Sequence, residues 1–402
     1  MKTVGLITEY NPFHKGHLYH IQKAKEVTGA DEVVVIMSGD FVQRGAPALM
    51  PKHLRAQMAL KCGASLVLEL PLLFATGSAE LFAQGAVTIL DKLGIVDVLC
   101  FGSETGNYSR LEKTARILLD EPKEYRQVLK EKLREGNTFP KSMQYALAAC
   151  FPEESFGVKQ FSSNDILGIE YSKALLSLNS SMKGVAIKRE DSNYHDEDLS
   201  PIYSSATAIR KLFKEGYPVE IENHIPPELY SIFRDAYNIR YPVFLDDFSL
   251  LLKTKLLRET KESLISYLDV STELANRILN KRDSFTNFSG FSMLLKTKEM
   301  TYSRISRCLI HILLDIKKNM LSVSLETLID AVRVLGFRKD SQELLRRIKE
   351  AGNISLVTKI NSENNSNLIS QDIAASDYYE NVVSYKFQKK MLREPSQSMV
   401  LL

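Results

Sequence analysis

The chain has 402 residues, 44% of them hydrophobic and 25% charged, with a net charge of +3. This balance excludes a disordered or fibrous chain, gives length enough for two or three domains, and permits a polyanionic partner without requiring one. The opening MKTVGLITEYNPFHKGH has too short an apolar stretch for a signal peptide, no membrane span is visible, and Cys62, Cys100, Cys150 and Cys308 form no C-x-x-C pair, so the expectation is a cytoplasmic protein without a zinc knuckle or disulfide framework.

Val4 to Ile7 is a β-branched run that reads as a strand, and Leu18, Ile21 and Ala24 then follow at helical spacing. Val33 to Met37, Leu66 to Leu70 and Val96 to Phe101 are continuous apolar runs of the doubly buried kind, separated by helical stretches, which predicts a parallel α/β sheet of Rossmann type. From Tyr108 to about residue 150 the composition turns to Leu, Lys, Arg and Glu and predicts a helical insertion. Asn164 to Leu176 reads as a helix, Lys183 to Lys188 as the last strand and Ser205 to Phe213 as a further helix. Pro242 suggests a boundary, giving a catalytic domain over 1–240 and a mainly helical domain over 241–402. Phe248 to Glu350 has almost no strand signal and is rich in cations, among them Arg304, Arg307, Arg333, Arg346, Arg347 and Lys349, which are expected to lie outside the sheet. The Asn-rich stretch from Ile360 to Leu368 reads as a loop.

Asn11-Pro12-Phe13-His14-Lys15-Gly16-His17 falls between the first strand and the first helix. Ligands of an open parallel sheet bind beyond the carboxyl ends of its strands, and a helix starting there offers unpaired N–H groups and a positive dipole end to an anion. His14 and His17, three apart, would face the same side and donate hydrogen bonds to charge developing on an α-phosphate as pyrophosphate leaves. Two surface histidines in a loop are the competing reading.

The segment resembles the HxGH signature of the nucleotidylyltransferase superfamily, and Ser205-Ala206-Thr207-Ala208-Ile209-Arg210 resembles its ISSTxIR motif, with Ala206 in place of the usual second serine. Met37-Ser38-Gly39-Asp40-Phe41-Val42-Gln43-Arg44-Gly45, Leu68-Glu69-Leu70-Pro71, Phe101-Gly102-Ser103-Glu104, Ser163-Asn164-Asp165-Ile166-Leu167-Gly168 and Arg333-Val334-Leu335-Gly336-Phe337 are similar to the narrower family of tRNA(Met) cytidine acetate ligases, a likeness over nearly the whole chain. It implies that ATP and acetate give acetyl-adenylate, whose acetyl passes to N4 of the wobble cytidine, C34, of elongator tRNA(Met), forming N4-acetylcytidine. The resemblance also implies an ATP site made of Ile7, Thr8, Glu9, Tyr10, Asn11, Pro12, Phe13, His14, Lys15, Gly16, His17, Leu18, Tyr19 and His20 with Gly102, Asn164, Lys188, Arg189, Ser205, Thr207 and Arg210, of which His14 and His17 are catalytic. Magnesium would accompany ATP by general phosphate chemistry, with no dedicated metal ligands assigned.

Several residues carry two readings. Gly102 is either a place for the nucleotide to approach the backbone or a plain turn glycine, and Asn164 either a nucleotide contact or a helix N-cap. Gln43, Arg44, Lys52 and His53 fall on a loop expected over the cleft, and Glu69 reads more readily as a structural hydrogen-bonding group. Arg304 and Arg307, beside Tyr302 at a helix start, are candidate tRNA contacts, and Arg346 and Arg347 weaker ones. The rival enzyme is a nucleotidylyltransferase acting on a small phosphorylated metabolite, and a rival of another class is a non-catalytic RNA-binding or assembly protein. No obligate protein partner is visible.

Overall fold

The structure is a computed structural model that describes residues 1–151, 161–189, 205–360 and 366–402; the Asn-rich 361–365 lie outside the described residues. Five parallel strands make the heart of the sheet: β1 (Thr3–Thr8), β2 (Glu32–Ser38), β3 (Leu66–Leu70), β4 (Val98–Ser103) and β5 (Lys183–Lys188), in the spatial order β3-β2-β1-β4-β5. All seven residues of β2 are buried, because β-branched side chains on both of its faces meet helices. Val33, Val35 and Met37 face one core and Val34 and Ile36 the other, the alternation that a pleated strand imposes.

Helices α1 (Lys15–Thr28) and α2 (Lys52–Lys61) connect β1 to β2 and β2 to β3. Helix α3 (Ala79–Lys92) precedes β4, and α4 (Tyr108–Asp120), α5 (Lys123–Arg134), α6 (Phe139–Ala149) and α7 (Ser163–Ser177) separate β4 from β5. Helix α8 (Ala206–Leu212) follows β5. The winding reverses between β1 and β4, which opens a crevice above their carboxyl ends.

The second half of the chain is mainly helical, with α9 (Tyr302–Leu313), α10 (Gln342–Ala351) and α11 (Asn367–Phe387) among its helices, but it also completes the sheet. Strand β6 (Ala331–Phe337) lies antiparallel against β3, with Leu66 opposite Phe337. Strands β7 (Ser355–Val357) and β8 (Val400–Leu401) run parallel to β6. The expectation of almost no strand between Phe248 and Glu350, with all its cations outside the sheet, is therefore corrected. Arg333 sits in the middle of β6 and is 3% exposed.

Its charge is balanced within a buried cluster. Lys52 Nζ donates to both carboxylate oxygens of Glu69 at 2.8 Å and pairs with Glu394 Oε1 at 3.2 Å. The same Glu394 meets His53 Nε2 at 3.1 Å and Arg333 Nε at 3.6 Å. Lys52 and His53 are thereby structural rather than part of a loop over the cleft, and Glu69 is the structural group it was expected to be. Removing one partner strands buried charge, whose cost is about 3–5 kcal/mol. Lys52→Met is expected to lose about that much stability in urea unfolding, and a loss below about 1 kcal/mol would show that the cluster is dispensable.

Candidate active site

The crevice above β1 and β4 is a cavity of about 230 Å³. From the first strand and its loop it is lined by Ile7, Thr8, Glu9, Tyr10, Asn11, His14, Gly16, His17, Tyr19 and His20, from β4 by Gly102, from α7 by Asn164, from the end of β5 by Lys188 and Arg189, and from α8 by Ser205, Thr207 and Arg210. Of the residues assigned to ATP from the sequence, only Pro12, Phe13, Lys15 and Leu18 do not line it. Phe13 lies beneath, wholly buried, with its ring centroid 4.7 Å from Tyr10 and 5.5 Å from His17.

His14 and His17 close the start of α1 on each other. His14 Nδ1 accepts from the Gly16 N–H at 3.1 Å, His17 Nδ1 accepts from the His14 N–H at 3.3 Å, and the rings stack with centroids 3.7 Å apart. The Lys15 N–H is bonded to the His224 carbonyl at 2.9 Å. The first-turn amides expected to face an anion unpaired are thus already used, which leaves the imidazole rings as the polar groups of this turn that line the cavity. A neutral ring whose Nδ1 accepts a hydrogen bond carries its proton on Nε2, so each histidine keeps one Nε2–H donor.

Burial, together with the Arg189 and Arg210 guanidiniums and His224, holds the His14 imidazole down at about 3. Burial first, then His14 and His20, holds His17 well below its ordinary value of 6.5. Both rings therefore stay neutral through the physiological range. Because these folded values lie below the unfolded one, the stability tied to them is present above pH 6.5 and falls as the pH drops from there. The pH profile of kcat/KM for ATP, which reports the free enzyme, is expected to show no inflection near pH 6.5 from this pair, and an inflection there that disappears in His14→Ala would contradict it.

Arg210 is held in place, with Nη1 on the Asn11 carbonyl at 2.6 Å and Nη2 on Thr207 Oγ1 at 3.0 Å. Asn11 Oδ1 in turn accepts from the Leu49 N–H at 2.7 Å, which ties the loop between β2 and α2 to the same corner. Ser205 caps α8 by accepting from the Ala208 N–H at 3.0 Å, and Ala206, where the motif departs from its pattern, also faces the cavity. Among the described residues, His20 Nε2 and Arg189 Nε are buried without a hydrogen-bonding partner, polar groups that a polyanionic ligand would satisfy.

Ser162, not Asn164, caps α7, and Asn164 Nδ2 instead reaches Glu104 Oε1 at 2.6 Å on the cavity wall. A Cβ added at Gly102 would meet only the Arg189 side chain, at 3.5 Å, so neither packing nor backbone conformation demands glycine there. The open space beside it belongs to the cavity. Gly102 lies within β4, opposite Ile187, and not in a turn. Gly102→Ala is expected to melt like the parent protein while binding ATP at least several-fold more weakly, as titration calorimetry would measure; unchanged affinity would make it an ordinary strand glycine.

Sequence reasoning missed Phe82, Phe101, Leu167, Tyr171 and Ile187, which give the cavity an apolar side. Each looks like core in the sequence, and the one signal was adjacency, since Phe101 precedes Gly102 and Ile187 precedes Lys188. Gln43 and Arg44 reach the cavity from the loop after β2. Gly45, at φ 69°, lies so close to α9 that a Cβ would fall 2.2 Å from the Arg307 backbone nitrogen, and Ser306 Oγ donates to its carbonyl at 2.6 Å. Arg304, exposed, and Arg307, half-buried, are thus next to this loop. Arg346 and Arg347 are elsewhere. Their helix is held at the amino ends of the strands, opposite the cleft, with the Asn353 N–H on the Lys92 carbonyl at 2.7 Å and Ser341 on Glu32, and Arg346 is tied to Glu343 and Glu350.

A parallel sheet with a His-x-Gly-His helix start at its switch point and a hydroxyl-arginine helix facing it defines a HIGH-type nucleotidyl transferase, and the profile of the HIGH Nucleotidyl Transferase family matches residues 1–394. The tRNA(Met) cytidine acetate ligase of Thermoanaerobacter sp. (strain X514) is 41% identical over 392 residues, 96% of each chain, and that of Acetivibrio thermocellus is 37% identical over the full length of both. Thermotoga maritima TmcAL, 32% identical, superposes over the whole of both chains with TM-scores of 0.92 in its apo form and 0.89 with alpha-thio ATP bound. The chain belongs to the HIGH nucleotidyl transferases and, within them, to the tRNA(Met) cytidine acetate ligase family.

Proposed function

We propose that the chain is a cytoplasmic ligase that uses ATP to activate acetate and acetylates N4 of the wobble cytidine of elongator tRNA(Met). The observation that carries this reading is the pair of neutral imidazoles at the start of α1, each with an Nε2–H to offer, beside Arg189 and Arg210. An acetate oxygen attacks the α-phosphorus, the bond to the pyrophosphate oxygen breaks, and the resulting charge is met by donors fixed before the reaction starts. No protein nucleophile and no proton transfer is needed at this step. The cytidine amine then attacks the acyl carbon, AMP departs with the bonding pair, and the amine gives up a proton.

Arg210 is oriented for the leaving pyrophosphate by Asn11 and Thr207, and Gly102, Asn164 and Lys188 are the walls for the nucleoside. Magnesium would enter with the nucleotide and offset part of its phosphate charge. Arg304 and Arg307 are the tRNA contacts that adjoin the cleft through the Gly45 loop; the placement of Arg346 and Arg347 by the amino ends of the strands weighs against them. Among the described residues no helix is long and apolar enough to cross a membrane.

The test is acetate-dependent exchange of labelled pyrophosphate into ATP, followed by mass analysis of C34. Loss of one donor to developing charge costs roughly a hundredfold or more in rate, so His17→Ala is expected to lower exchange by that factor and the His14→Ala, His17→Ala protein by more. Exchange that ignores acetate, or a double variant with normal turnover, would overturn the reading.

A further inference from the structure

The helical insertion between β4 and β5 carries a second charged surface. Its two roots are fastened together at the rim of the cleft: Asn164 and Ser162 both bond Glu104, and Ser103 Oγ donates to Asp165 Oδ1 at 2.5 Å. From that base α5 packs through Tyr125 and Val128 against Ala146, Leu147 and Phe161, the last next in sequence to Ser162. One side of α5 is therefore occupied.

Lys123, Arg126, Lys130 and Arg134, spaced three and four residues apart, fall together on another side and are all exposed. Of the nearby acids, Glu131 accepts from Gln127 at 3.1 Å and Glu135, just past the helix, from Lys132 at 2.8 Å, while Glu124 lies in the first turn beside Lys123. The result is a row of cations about 16 Å long, for which no ion pair is seen among the described residues. Leu129 and Leu133 border a shallow hollow among these cations and support their aliphatic stems. The main apolar side of α5 already packs on α6, which leaves only Leu129 and Leu133 between the cations, too little to enter a bilayer, so the surface fits a hydrated polyanion better than a lipid.

We propose that this face of α5 grips the phosphate backbone of the RNA substrate, forming a second arm of a cradle whose first arm is α9. The inference rests on the acetylation reading for the identity of the RNA. An acyl acceptor delivered to the crevice has to pass its rim, and the insertion is rooted on that rim, with the α5 cations exposed. Contacts of this kind position the substrate without reading its sequence.

The test uses the full chain and elongator tRNA(Met). Arg126→Ala, Lys130→Ala, Arg134→Ala keeps helix propensity, and it is expected to weaken tRNA binding at least tenfold and to flatten log Kd against log salt by about 0.7–0.9 for each phosphate that is no longer neutralised. Arg126→Lys, Arg134→Lys keeps the charge and is expected to keep affinity and slope. Because the triple variant could be compromised in folding, footprinting of unmodified protein with a lysine-acylating reagent gives an independent result: Lys123 and Lys130 are expected to lose reactivity when tRNA binds. Undiminished reactivity, or parental affinity and slope in the folded triple variant, would overturn the proposal. Acetate-dependent exchange by the parent protein is measured beside it, and its absence would remove the acetylation reading while leaving the RNA-binding result standing.

Discussion

The Arg55 guanidinium, wholly buried, holds the rim of the active site together. Its Nε donates to the Met50 carbonyl at 3.0 Å, Nη1 to those of Glu9 at 2.6 Å and Ser38 at 3.0 Å, and Nη2 to that of Gly39. One side chain so joins the end of β1, the end of β2 and the far end of the loop that leads to α2. A buried guanidinium is costly to desolvate and cannot shed its proton, so it persists only where acceptors surround it, as these carbonyls do, with Asp40, Glu9 and Glu69 supplying negative charge nearby. The loop it fixes brings Gln43 and Arg44 to the cavity and Gly45 to α9, so the path from the phosphate site to the cation-bearing half of the chain runs through Arg55.

Much of this was legible in the sequence because it depends on local pattern. The apolar runs of β1, β2 and β3, and the HxGH segment after the first of them, are periodicity and motif, and both are written in neighbouring residues. The use of the first-turn amides was not legible. That the His17 ring accepts from the His14 N–H and the His14 ring from that of Gly16, and that the His224 carbonyl takes the Lys15 N–H, depends on side-chain rotamers and on a residue about 200 positions downstream. Composition likewise could not say at which end of the strands a cation falls. Arg304 and Arg346 look alike as letters, yet one adjoins the cleft loop and the other is paired with two glutamates at the opposite end of the strands.

Strand β6 escaped for a related reason. Its sequence, AVRVLGF, puts a permanently charged residue in the middle of a strand, and that reads against burial unless the partner is known. The partner, Glu394, lies 61 positions further on, in a tail with no regular pattern of its own. Buried ion pairs between distant segments leave no periodic trace.

The pairing of β3 with β6 also bears on how the protein is made. Leu66 waits for Phe337, so a ribosome has to deliver most of the chain before the outer edge of β3 is covered. Until then the nascent protein presents a row of unpaired amides and carbonyls on an apolar strand, the surface on which chains join one another. Closing so long a loop is slow, and it makes correct synthesis of this enzyme a race between its own late strand and the strands of its neighbours. The same late step ensures that a chain cut short before β6 has an unfinished sheet, even though every residue of the His14 and Arg210 motifs is already present.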